Sequence, residues 1–198
     1  MEYIKEVFAQ YDRQCLRVYQ AYNPTIAKEA IALQRFGENF NLNRMTWIKP
    51  SFLWMMYRSN WGTKKNQECI LALDIYQEKF EELLQKAVLT SPDSSDYTGS
   101  QWEKAFQETT VYCQWDPDRN INGNAIHRAA IQIGLKGSTL RDFLDTGIYQ
   151  IEDMTPLVKK WNKQRKNGKL NSKNLPIEKI YPIKDKKIRN RLNMANKI

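Results

Sequence analysis

The alternation of apolar and polar residues predicts three β-strands in the first 115 residues. Residues 16–22 alternate in polarity and are rich in residues that favour strands. Residues 68–75 are nearly continuous in apolar side chains, which is typical of a strand buried on both faces. Residues 109–115 are the third strand and run into residues 116–119, which we interpret as a turn. We expect the three strands to form one small sheet.

Helical periodicity predicts helices between and around these strands. The clearest one covers residues 24–36, with Asn23 as its N-cap, Pro24 in its first turn and Gly37 as its stop. Residues 125–135 are apolar and fit either a strand or a helix. A single domain of mixed α/β or α+β class, with helices packed on the sheet, is therefore expected. Helical patterns also occur over residues 2–12, 76–89, 102–107, 140–144 and 148–161.

Residues 44–61 contain three of the six tryptophans and predict a buried helix. Pro50 is placed as its first residue, and apolar side chains then surround almost the whole helix. Arg44, Lys49 and Arg58 interrupt this apolar surface. Because Lys and Arg are rarely buried alone, these cations either pair with carboxylates or point into a cleft that receives an anion. The sequence leaves both alternatives open.

Length and composition fit one domain. At 198 residues the chain is long enough to bury a core, and no apolar run approaches the roughly 18 residues that span a bilayer. The N-terminus lacks the plan of a signal peptide. Cys15, Cys69 and Cys113 lie in apolar segments, which indicates buried, reduced thiols in a cytoplasmic protein. With one histidine, His127, interpreted as a core residue, we expect no metal site.

Positive charge is concentrated in the last fifth of the chain. Residues 156–198 contain 14 Lys or Arg and two acids, whereas the net charge of the whole chain is +9. Such a segment favours contact with a polyanion such as nucleic acid, or it serves as a solubilising, partly disordered end. We therefore expect a globular domain over residues 1–161, with residues 162–198 either part of it or a loosely packed arm.

Four groups of polar residues interrupt the apolar sequence and are candidates for a site. The first group is Gln20 and Tyr22, which lie two apart on a strand and therefore point to the same face. The alternative is that this face is simply exposed to solvent. The fourth group is Arg128 and Gln132, which lie four apart and share a face in either a helix or a strand. Arg128 also fits an ordinary surface position.

The second group surrounds the tryptophans. Guanidinium groups beside indole and phenol rings suit stacking on a base or a nicotinamide ring and binding of phosphate. Internal pairing with carboxylates is the competing interpretation. The group consists of Arg44, Trp47, Lys49, Tyr57 and Arg58.

The third group follows the third predicted strand. Gln114 and Asp116 lie two apart, so one face offers an amide and a carboxylate together. Asp118 and Arg119 follow in the predicted turn. A structural Asx-turn is the alternative.

Joined together, these motifs resemble a known family. Residues 18–22, 44–62, 114–119 and 131–135 are similar to the domain-of-unknown-function family numbered 4291, and the resemblance covers about residues 15–160. The family pattern has Glu where this chain has Asp118. This resemblance implies no activity.

The order of elements is also similar to that of ADP-ribosyltransferases. This resemblance implies NAD as the cofactor, with Gln20 where that superfamily has Arg or His. It further implies that Tyr22 and Tyr57 cover the nicotinamide, that Arg44 or Arg58 takes the diphosphate, and that Asp116 or Asp118 is the catalytic acid. The candidate set is completed by Gln114 as catalytic and by Trp47, Lys49, Arg119 and Arg128 as cofactor-binding residues.

Two functions from different classes follow as hypotheses. The first is an NAD-dependent enzyme of ADP-ribosyltransferase type that acts on nucleic acid. The alternative is a non-catalytic nucleic-acid-binding module, with stacking on aromatic rings and phosphate contacts from the basic segment. An enzyme of unrelated chemistry is a third. The stacking residues of the alternative would be Trp47, Trp54, Tyr57 and Trp115.

Overall fold

The computed structural model describes residues 3–91 and 99–195, and these fold into one α+β domain. Residues 91–96, whose content of Ser, Pro and Asp predicts a surface loop, lie largely outside the described residues. The strands are β1 (Phe8–Ala9), β2 (Cys15–Tyr22), β3 (Thr46–Ile48), β4 (Cys69–Tyr76), β5 (Val88–Leu89), β6 (Val111–Arg119), β7 (Ala125–Leu135), β8 (Ile148–Asp153) and β9 (Lys179–Ile180).

Helices cover the sheets and connect their strands. A π-helical turn, Phe143–Gly147, and a 3-10 turn, Ser172–Asn174, accompany them. The α-helices of the described ranges are α1 (Pro24–Leu33), α2 (Phe52–Ser59), α3 (Gln77–Lys86), α4 (Gly99–Glu108), α5 (Gly137–Asp142), α6 (Thr155–Lys166) and α7 (Lys186–Arg191).

Two main sheets replace the single sheet that we expected. β2, β4 and β8 form an antiparallel sheet, whereas β6 belongs to a second sheet of order β3-β7-β6-β5. The prediction that β2, β4 and β6 share a sheet is wrong because β6 pairs along its length with β7. The two sheets meet at a backbone bridge, in which the Tyr19 amide donates to the Lys49 carbonyl at 2.8 Å.

The three-stranded sheet is buried on both faces. Leu71 and Leu73 of β4 face the larger core, while Ile70 and Ala72 face a smaller core built with α2 and α6. This double burial explains why the β4 sequence is almost continuously apolar. The strands predicted over residues 16–22 and 68–75 are confirmed to within one residue.

The four-stranded sheet is apolar on one face and polar on the other. Cys113 and Ile133 lie opposite each other and are buried in the larger core. Gln114 and Gln132, the next pair along, point to the other face. The segment 125–135, which fitted either a strand or a helix in the sequence, is therefore a strand, β7.

Several helical predictions are wrong, and strand pairing is the reason in each case. The sequence predicts a helix over residues 2–12 with Ile4 on its apolar face, but this segment contains β1, which pairs with β9, and Ile4 is exposed. Residues 148–153 form β8 on the edge of β4. Residues 88–89 form β5, parallel to β6, so α3 ends at Lys86. Partners distant in the chain override the local helical pattern in these segments.

The boundaries of the two best-predicted helices also shift. α1 has the predicted Asn23 cap but ends at Leu33, before the predicted stop at Gly37, and its C-cap residue Gln34 has a left-handed φ of 53°. α2 is capped by Ser51, so Pro50 precedes the helix and is not its first residue.

The predicted turn at residues 116–119 is the bulged end of β6, because β7 extends the pairing to Arg119.

The basic C-terminal segment contributes side chains to the larger core. Arg189 forms a buried, two-pronged ion pair with Glu6, with N–O distances of 2.6 and 3.1 Å. This pair joins the two ends of the described chain. Residues 175–195 are therefore packed as part of the domain. Their side chains in the larger core are Tyr181, Ile183, Ile188, Leu192 and Met194.

Replacement of Glu6 by Gln should destabilise the domain, because it leaves the buried Arg189 charge unpaired. We expect a loss of about 3–5 kcal/mol in the free energy of unfolding, measured by urea denaturation. Lys187→Gln, on the exposed side of α7, should change it by less than about 0.5 kcal/mol. An unchanged urea midpoint in Glu6→Gln would contradict the packing of the C-terminal segment.

Candidate functional site

A cavity of about 540 Å³ opens where the edges of the two sheets meet. Its walls come from the end of β2, from β3 and the residues that flank it, from the last turn of α2, and from the loop after α2. Half of the residues predicted from the sequence are therefore brought together. They are Gln20, Tyr22, Arg44, Trp47, Lys49 and Arg58.

The cavity wall is strongly cationic. Arg44, Lys49, Arg58 and Lys65 line it, and no acidic side chain of the described residues does. Arg44, Arg58 and Lys65 form no ion pair with any residue of the described ranges. Of the two alternatives left open by the sequence, the structure therefore shows cations around a cleft. Such a surface suits an anionic ligand.

Lys49 is the most perturbed cation of this wall. It is 9% exposed, and its Nζ donates to the Trp47 carbonyl at 3.2 Å. Burial and, to a smaller extent, the neighbouring Arg58 charge lower the pKa of Lys49 to about 7, while the Asp116 carboxylate opposes this shift. An amine with such a pKa gains a proton readily when an anion approaches.

Gln20 lines the cavity and carries a buried acceptor. Its side chain is 3% exposed, and its Nε2 donates to the Trp47 carbonyl at 3.2 Å. Its Oε1 has no hydrogen-bond partner among the described residues. A buried acceptor without a partner costs free energy that a ligand N–H or O–H can recover.

Two aromatic rings complete the cavity. The Tyr22 ring is held edge-on by Phe36 and Phe40, at centroid distances of 5.4 and 5.9 Å. The Trp47 ring lies across Gly134 of β7, where an added Cβ would sit 2.9 Å from the indole. Gly134 is therefore required for the close approach of Trp47.

Asp116 lies beside the cavity. Its Oδ1 accepts from Gln114 Nε2 at 3.1 Å, and its Oδ2 accepts from Gln132 Nε2 at 2.6 Å. The strand register places this group on the same face of the four-stranded sheet as Trp47. Asp116 is half-buried, and its charge acts on Lys49. Of the two predicted acids, Asp116 is the one whose charge acts on a cation of the cavity wall.

Asp118 and Arg128 lie in a separate, buried network. The Asp118 side chain is fully buried, and it accepts from Ser51 Oγ at 2.8 Å and from Arg128 Nε at 2.6 Å. Arg128 also donates to Glu178 at 2.6 Å, and Glu178 accepts from the Phe52 amide at 2.7 Å. This network caps the start of α2, so neither Asp118 nor Arg128 lines the cavity as we expected from the sequence.

Tyr57 and Arg119 form a third group of the predicted residues. The Arg119 guanidinium lies 4.1 Å from the centre of the Tyr57 ring and 5.7 Å from that of Trp54. Neither Tyr57 nor Arg119 lines the first cavity. The expected convergence of all four polar groups on one hollow is therefore only partly observed.

The chain matches the model of a domain of unknown function, DUF4291, over residues 6–181. It belongs to this family. The resemblance drawn from its motifs is thereby confirmed, and the matched part includes both sheets and the cavity. The comparison with curated proteins returned no match.

Sequence reasoning missed part of the DUF4291 cavity. Lys65, Asn66 and Gln67 line it from the loop after α2, and Asn23 and Asn41 complete its polar wall. The signal for Lys65 was the run of basic residues directly after the tryptophan helix.

Other sequence expectations concern histidine, cysteine, membrane-spanning segments and metal ligands. His127 is exposed, so its interpretation as a core residue is wrong. Cys15 and Cys113 are buried free thiols, while Cys69 is partly buried and also free. No helix in the described part of this DUF4291 protein has the length and hydropathy to cross a membrane. Within the described ranges, no group of three or more His, Cys, Asp or Glu could hold a metal ion.

Replacement of Gly134 by Ala should displace Trp47. The new methyl group would meet the indole and the Met45 sulfur at about 3 Å, so we expect a loss of about 1–3 kcal/mol in stability and a change in tryptophan fluorescence. Gly99→Ala is the matched control, because a Cβ there meets no atom of the described residues within 4 Å. Equal stability of both variants would contradict the close packing at Gly134.

Lys49 should make stability depend on pH. Because its pKa is lowered to about 7 in the folded protein, its favourable contribution is complete at high pH and is lost as the pH falls from about 10 to 7. We expect Lys49→Met to gain stability over the unmodified protein as the pH falls through this range, by up to about 1.4 kcal/mol per pH unit. Urea unfolding at pH 6.5 and 9.5 measures this difference, and the exposed Lys65→Met should show no such trend.

Proposed function

We propose that this DUF4291 protein binds NAD in the first cavity and transfers the ADP-ribosyl group. The observation that carries the proposal is a cavity wall with two Arg and two Lys side chains and no acid of the described residues, next to two aromatic rings and an amide oxygen without a described hydrogen-bond partner. NAD has the matching groups, because it joins two aromatic bases through a diphosphate and carries a carboxamide. The cavity volume of about 540 Å³ is typical of small-molecule sites.

The diphosphate is assigned to Arg44 and Arg58. Both side chains are exposed at the cavity and pair with no described carboxylate, so their guanidinium groups are available. Guanidinium binds phosphate oxygens in pairs and keeps its charge at any physiological pH. Lys49 adds a charge that a bound phosphate would stabilise.

The nicotinamide is assigned to the inner end of the cavity. The Gln20 Oε1 would accept from the carboxamide N–H₂, and the rings of Tyr22 and Trp47 would contact the heterocycle. These are the roles that the resemblance to ADP-ribosyltransferases implies for Gln20 and Tyr22. The junction between two sheet edges gives the ligand a cleft with walls from different strands.

Asp116 is proposed as the acid of the transfer. The bond between ribose C1′ and nicotinamide nitrogen breaks, and nicotinamide leaves with the bonding electron pair as a neutral molecule. Positive charge develops on the ribose, which a fixed carboxylate stabilises. A nucleophile then forms a bond to C1′ and loses its proton to Asp116 or to water. The amides of Gln114 and Gln132 hold the carboxylate in place.

The test is incubation with NAD and quantification of released nicotinamide by chromatography. We expect Asp116→Asn to lower kcat about 100-fold or more while NAD binding persists. Arg58→Gln should chiefly raise KM, because it removes a contact to the diphosphate. The exposed Lys187→Gln, on α7, is the control and should behave as the unmodified protein. Absence of NAD binding by calorimetry would overturn the proposal.

A further inference from the structure

A second cavity, of about 460 Å³, adjoins the first and shares Arg58 with it. Its walls come from α2, from the loop after α2, from the turn between β6 and β7, and from α6. Arg58 is the one residue assigned to the proposed NAD site that also lines this cavity. Its principal side chains are Tyr57, Arg58, Trp61, Lys64, Asn122 and Arg165.

The second cavity is cationic like the first. Arg58, Lys64 and Arg165 line it, and no acidic residue of the described ranges does. Lys64 is exposed and forms no ion pair with any described residue. Arg165 donates to Asn162 Oδ1 at 3.0 Å and lies 5.1 Å from the Trp61 ring, so its guanidinium is held in place.

A strained turn connects the two cavities. Asn60, Trp61 and Gly62 have positive φ angles of 48°, 57° and 69°, and a left-handed Trp is rare. This turn leads to Lys64, which lines the second cavity, and to Lys65, which lines the first. Because Arg58 lines both cavities, Lys65, Arg58 and Lys64 form a cationic strip that extends from the first cavity to the second.

An exposed aromatic ring lies beside this strip. Tyr57 is 46% exposed although it stacks on Trp54, at a centroid distance of 5.4 Å, and carries the Arg119 guanidinium on its ring. Exposed aromatic and guanidinium groups along a cationic groove are typical of surfaces that bind single-stranded nucleic acid.

We propose that the second cavity binds a single strand of nucleic acid as the acceptor of the ADP-ribosyl group. Its role as acceptor site rests on the proposed function, whereas the binding itself does not. A strand places one phosphate at each nucleotide, and the repeated charge matches Lys64, Arg58 and Arg165. A hydroxyl or phosphate oxygen of the strand would bond to C1′ of the NAD ribose as nicotinamide leaves with its electron pair. The proton of a hydroxyl passes to solvent.

Binding is tested without NAD, by fluorescence anisotropy of a labelled 12-nucleotide single strand over a series of salt concentrations. We expect Lys64→Gln/Arg165→Gln to weaken binding at least tenfold. The slope of log affinity against log salt should fall by about 0.7 for each lost phosphate contact. Lys186→Gln/Lys187→Gln, with the same charge change on the exposed side of α7, should stay within twofold of the unmodified protein.

Three results would overturn this inference. They are no binding of the strand, an equal loss in both double variants, and equal affinity for a polyglutamate of the same charge. Lys64→Gln alone replaces an exposed side chain and keeps the test decisive should the double variant fail to fold. Because NAD is absent, failure of nicotinamide release and failure of strand binding are observed separately.

Discussion

The arrangement of this domain depends on the buried ion-pair network at the start of α2. Asp118 accepts hydrogen bonds from Ser51 and Arg128, and Glu178 joins Arg128 to the first amide of the helix. Burial raises the pKa of Glu178 to about 7, and Arg128 opposes this shift. Removal of one member would leave a charge buried without its partner, which is costly. The network therefore holds α2 against β6 and the C-terminal segment, and it sets the position of the last turn of α2 between the two cavities.

The first cavity exists because the two sheets meet at a narrow junction. The Tyr19–Lys49 bridge joins their edges, and Gln20 and Lys49 share the Trp47 carbonyl. Beyond that point each sheet follows its own core. The cleft between them contains basic side chains with no carboxylate of the described residues beside them in its wall, and an amide oxygen that accepts no hydrogen bond from a described donor. Such arrangements cost stability in the free protein and are found where a ligand supplies the missing partner.

Local signals predicted β2, α1 and β4 well. In β2 and β4 the apolar pattern agrees with burial, and in α1 the Asn23 cap agrees with the first turn. Prediction failed at β8 and β1, because these segments follow a helical pattern yet pair with β4 and β9. Their partners lie far away in the chain, and no local periodicity reports them.

The sequence by itself determined the family, the α+β class and the residue types of the candidate site, since motifs and alternation are local properties. Only the tertiary structure decided which polar residues meet. It separated Asp116 from Asp118, although they are two residues apart. The reasons are a bulge in β6 between Pro117 and Arg119 and the ion pair that holds Asp118 to Arg128 in a buried network. It also brought Gln20, Arg44 and Arg58 to one cavity. Contacts between distant segments are set by how sheets pair and pack, and a one-dimensional pattern carries little of that information.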